Sequence, residues 1–67
     1  MEAALAAIAS EPLRESAHRA LIAAYLAEDN AADAMRQYSL YRGVAKQQLG
    51  IDPSPRMREL VRGLPVE

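Results

Sequence analysis

Two stretches with helical apolar spacing meet across Asp29-Asn30, and that short join decides most of what this chain can fold into. Upstream, Leu13, Ala17, Leu21 and Tyr25 recur every four residues, and Ile22 and Leu26 widen the stripe. Downstream, Ala34, Tyr38, Tyr41, Ala45 and the pair Gln48/Leu49 follow a 4-3-4 spacing. Two helices joined by two or three residues must lie antiparallel against each other. A helical hairpin is therefore the unit of architecture. No segment reads as a strand, and the predicted fold class is all-α.

Punctuation sets the boundaries. An Ala-rich helix over about 2–9, carrying Leu5 and Ile8, ends at Ser10-Glu11-Pro12. Proline fits only the first turn of a helix, which predicts a second helix over about 12–28. Asn30 is a natural N-cap, with Asp33 three residues on, for a third helix over about 31–49. Gly50 can supply the positive φ that ends it. Ile51-Asp52-Pro53-Ser54-Pro55 is extended, because each proline drives the residue before it out of the α region. Ser54 then caps a fourth helix over about 55–63, with Met57, Leu60, Val61 and Leu64 as its apolar face and Gly63 and Pro65 as its stop. Residues 1–67 thus form a single domain of four helices, the hairpin plus one helix on each side.

Composition narrows the function. The apolar fraction is 51%, yet 14 of those residues are Ala, and Phe and Trp are absent, so large core side chains are few. With no Cys and one His, there is no disulfide, no thiolate metal site and no thiol nucleophile. Net charge is −1, without the basic surplus of a free-standing nucleic-acid binder. Glu15-x-x-His18 has a metal-ligand spacing but no second copy, so no metal or cofactor is expected. Ser10, Ser16, Ser39 and Ser54 lack a nucleophile-elbow setting, and an enzyme is not expected. The run Ala3 to Ala9 is too short for a leader or a membrane span, which points to the cytoplasm and no membrane partner. Seven Arg against one Lys suggest a bacterial source.

The hairpin has a finer register. His18-x2-Leu21-Ile22-x2-Tyr25, followed by Ala34-x3-Tyr38, matches the tetratricopeptide pattern, with His18 in place of the large aromatic and Ile22 in place of glycine. Leu21, Tyr25, Ala34 and Tyr38 form the expected hairpin core, and His18 is expected at its edge. Pro12 and Ala7 occupy the closing positions of a preceding repeat. The chain accordingly reads as a partial domain entered part-way through a repeat, with Leu5 and Ile8 exposing an apolar flank.

From Pro12 to Leu64 the chain resembles the bacterial transcriptional activator domain of SARP-type (antibiotic regulatory protein) regulators. The resemblance is carried by Pro12-Leu13-Arg14-Glu15, Ala20-Leu21-Ile22-Ala23-Ala24-Tyr25 and Ala34-Met35-Arg36-Gln37-Tyr38. It is carried above all by Gln48-Leu49-Gly50-Ile51-Asp52-Pro53-Ser54-Pro55 with Arg58-Glu59-Leu60. It covers only the C-terminal part of the family's domain. It implies an interaction and self-association module of a transcription regulator, touching an upstream domain or the transcription machinery, with DNA contacted only through a domain missing from this chain. A stand-alone helical-repeat adaptor or scaffold is the alternative. Candidate interface residues are Leu5, Ile8, Tyr41, Met57, Leu60 and Leu64, with Tyr41 expected to be partly exposed and the last three docking the final helix across the hairpin. Arg36, Arg42 and Lys46 with Arg56, Arg58 and Arg62 make a small basic patch, balanced by Asp33, Asp52 and Glu59.

Overall fold

The computed structural model describes residues 2–64, and these residues are all-helical, with no strand among them. Four helices follow in order: α1 (Glu2–Ser10), α2 (Glu15–Ala27), α3 (Ala31–Leu49) and α4 (Pro55–Leu60). The α2–α3 hairpin is the centre of the fold, with α1 and α4 both packed on α2.

Each boundary has a local cause. Glu11 to Arg14 form a turn closed by the Arg14 N–H on the Glu11 carbonyl at 3.0 Å, with Pro12 at its second position. That turn consumes Pro12 and Leu13, so α2 starts at Glu15 instead of running from Pro12. At the other end of α2, the Asn30 N–H reaches the Tyr25 carbonyl at 2.8 Å and the Asp29 N–H the Leu26 carbonyl at 3.0 Å. This is a Schellman pair, with Asp29 at φ +61° in the left-handed position usually given to glycine. Asn30 at once caps α3: its Oδ1 accepts the Asp33 N–H at 3.3 Å and its Nδ2 donates to Asp33 Oδ2 at 2.8 Å. Gly50, at φ +68°, ends α3. Ser54 caps α4 by accepting the Met57 N–H at 3.2 Å, with Pro55 at the first position. Beyond Leu60 the chain continues in i→i−3 turns to Leu64 and passes through Gly63 at φ +85°, so regular helix stops short of 63.

The core is one cluster of Ile22, Ala34, Tyr38, Tyr41, Ala45 and Met57. Tyr25, Leu26, Met35, Leu60, Val61 and Leu64 pack around it, half-buried. Ala34 and Ala45 are fully buried, which lets α2 approach α3 closely enough for two tyrosines to fill the flanks. Ala34→Leu is expected to overpack this contact and cost about 1–3 kcal/mol. An urea-denaturation midpoint equal to that of the unmodified chain would remove Ala34 from the crossing.

Helix α3 has 19 residues against 13 in α2, so its last turns overhang the start of α2 by about 9 Å at 1.5 Å per residue. The extended connector after Gly50 folds back across that overhang. Ser54 consequently lies beside Glu15, the first residue of α2.

Candidate protein-interaction site

Two polar locks hold the hairpin's neighbours in place. The first is His18, which is 1% exposed and the one buried polar side chain among the described residues. Its Nε2 lies 2.7 Å from the Pro12 carbonyl, which can only accept, so Nε2 carries the proton. Its Nδ1 accepts from the Gln37 amide at 2.8 Å. The imidazole thereby joins the α1–α2 turn to α3. Its ring also rests on Tyr41, with centroids 4.7 Å apart and planes inclined by 44°. His18 stands in the core and not at its edge, because its two nitrogens are both satisfied there.

The second lock is Glu15. Its Oε1 accepts the Ser54 N–H at 3.1 Å and its Oε2 accepts the Ser54 hydroxyl. Burial raises the Glu15 pKa, but the Ser54 bonds, the Arg19 charge and the Tyr41 hydroxyl together outweigh it and hold the carboxyl below its ordinary value. Tyr41 responds in the opposite sense: burial first, then the Glu15 charge, push its hydroxyl up. Ser54 is thus cap and latch in one, and Glu15 joins α2 to α4. Glu15 and His18 face different partners despite their i, i+3 spacing, so the pair does not converge on one point. No buried side-chain nitrogen or oxygen among the described residues lacks a partner. Ser10, Ser16 and Ser39 are exposed.

The remaining predicted residues distribute over interior and surface. Leu21, Ala34, Tyr38 and Met57 are buried, and Tyr25, Leu60 and Leu64 are half-buried. Tyr41 is 2% exposed, against the expectation of partial exposure, because His18 and Glu15 enclose its ring and its hydroxyl. Leu5 is 49% exposed and Ile8 half-buried on α1. Leu40, Leu49 and Ile51 are also about half exposed, and periodicity alone did not single them out as surface. Leu49 loses the α3 stripe because it stands in the overhang beyond α2.

A cleft of about 530 Å³ opens between α3 and the turn after α4, floored by Met35, Tyr38 and Leu64 and rimmed by Arg42, Arg58 and Arg62. A second hollow of about 380 Å³ shares Tyr38, Arg42 and Arg58 and adds Lys46, Asp52 and Pro53. Arg36 pairs with Asp33 at 3.3 Å and lies outside both hollows. Among the described residues, no helix is long and apolar enough to cross a membrane.

The family model of the bacterial transcriptional activator domain matches residues 1–64. No curated protein and no solved structure matches the chain.

Proposed function

This chain belongs to the bacterial transcriptional activator domain family, and on that premise we propose that it is the protein-interaction and self-association module of a bacterial transcription regulator. In this reading it works in the cytoplasm alongside a DNA-binding domain outside this chain, and it contacts protein, not DNA bases. Regulation is its role, and no chemistry is assigned to it.

The supporting observation is the unshared face of α1. This helix packs chiefly on α2, and Leu5 stays half exposed beside a half-buried Ile8. Helical repeats bury such faces against the next repeat, and an unpaired one invites a copy or a neighbouring domain. The hairpin, closed by α4, is the rigid support, and the α1 flank is the contact.

Sedimentation velocity on the 67-residue chain tests this. Association that strengthens with concentration is expected in the tens to hundreds of micromolar, and Leu5→Ser should weaken it at least fivefold while leaving the helical signal unchanged. A monomer at every concentration, or an unaltered association in Leu5→Ser, would sink the α1 flank as the contact.

A further inference from the structure

The charge of this chain is sorted along its length. Residues 1–33 carry two basic and six acidic side chains, whereas residues 34–67 carry six basic and three acidic ones. The near-neutral total of −1 therefore hides an acidic first half and a basic second half. Much of the positive charge gathers at one place. The two joined hollows between α3 and the segment after Gly50 are rimmed by Arg42, Lys46, Arg58 and Arg62, with only Asp52 and Glu59 in opposition.

These cations are not equally occupied. Glu59 is held by Arg62 at 3.1 Å, and Arg58 gives one N–H to the Pro53 carbonyl at 2.8 Å, which fixes its guanidinium over the cleft. Arg42 and Lys46, one turn apart on α3, make no salt bridge among the described residues. Beneath them the floor is apolar: Met35, Tyr38 and Leu64 are packed on the core from below and open to the cleft above.

We infer that this cleft receives an extended acidic segment of a partner protein, whose carboxylates meet Arg42, Lys46 and Arg58 while one apolar side chain settles on Met35, Tyr38 and Leu64. The inference rests on the reading of the chain as an interaction module and names a second surface of it, lined by α3 and the chain after Gly50 and by no residue of α1. A volume near 530 Å³ accommodates a few side chains. Charge complementarity sets the on-rate and the partner's sign, and the apolar floor supplies the anchor.

The test is fluorescence anisotropy on the full chain at low salt, with a labelled twelve-residue Asp/Glu peptide that carries one Leu and one Phe. Binding should weaken at least tenfold in Arg42→Glu/Lys46→Glu, and about tenfold when the peptide's Leu and Phe become Gly. Arg56→Glu is the control, since Arg56 is exposed and lines neither hollow. It should change binding less than twofold, and circular dichroism should confirm that all variants stay folded. Equal weakening by Arg56→Glu, no binding of the peptide, or tighter binding of a 20-base-pair duplex than of the peptide would overturn the inference. Leu5→Ser should leave peptide binding intact, so failure here and failure of the α1 contact are read separately.

Discussion

His18→Ala is expected to lose most of its helical circular-dichroism signal at 25 °C. The substitution removes a fully enclosed ring and leaves a cavity beside Tyr41, which is a large-to-small core change of the costly kind. It also strips the Pro12 carbonyl and the Gln37 amide of their shared partner. Losing two hydrogen bonds at a part-buried site adds to the cavity cost, and the sum comes to about 3–4 kcal/mol. A domain of this size rarely holds more than about 3–5 kcal/mol in total. His18→Phe separates the two contributions, because it refills the volume with the kind of ring that the tetratricopeptide pattern places there and restores neither hydrogen bond. Its loss should be about 1–2 kcal/mol in urea denaturation. A Phe variant as stable as the unmodified chain would show that His18 serves only as a filler, and an Ala variant within about 0.5 kcal/mol would remove the lock altogether.

The helical spacing and the cap residues carry most of the architecture, and the reason is that both act locally. Asn30, Gly50, Ser54 and Pro55 each satisfy or terminate backbone groups within a few residues, so their identity alone reports where helices begin and end. Pro12 shows the limit of that logic. A proline is equally at home at a helix's first position and at the second position of a turn, and the choice was made by His18, six residues away, which takes up the Pro12 carbonyl.

The polar locks were hidden for a related reason. Periodicity sorts residues into apolar and polar, and it has no means of marking a polar side chain that belongs inside. His18 falls between Ala17 and Leu21 on the buried side of α2, and Gln37 immediately precedes the buried Tyr38, yet only the three-dimensional crossing brings their nitrogens together. A histidine standing where a repeat expects a large aromatic, opposite a hairpin partner with a Gln beside its own aromatic, is the signal that could have found it. Ser54 and Glu15 are 39 residues apart in sequence, and nothing local links them. The cleft is the same kind of feature, because its cations come from α3 and from the chain beyond Gly50.

Glu15→Ala is expected to cost about 2–3 kcal/mol, the range for losing charge-assisted hydrogen bonds at a partly buried site. Two donors of Ser54 lose their acceptor at once, and α4 loses its attachment to the start of α2. The Ser54 cap itself would survive, so the effect should exceed that of an ordinary cap deletion and should couple to Ser54→Ala in a double-mutant cycle by about 1 kcal/mol or more. The same lock sets a pH dependence. The Glu15 pKa is lower in the fold than its ordinary 4.5, so the unfolded chain takes up the proton first as pH falls. Stability from this carboxylate is therefore complete above 4.5 and is lost as pH drops below it, through the folded value. Tyr41 has the converse sign: its pKa is raised above the ordinary 10.0, so its contribution is complete below 10.0 and fades as pH climbs beyond. Urea-denaturation midpoints measured from pH 3 to pH 7 should fall on the acid side for the unmodified chain and should fall less for Glu15→Gln. Parallel profiles for the two would mean that other carboxylates govern the acid limb and that the Glu15–Ser54 latch contributes nothing measurable. A flattened profile in Glu15→Gln, together with weaker binding of the acidic peptide, would tie the latch to function, because the chain after Gly50 forms one wall of the cleft and Glu15 fixes where that wall stands.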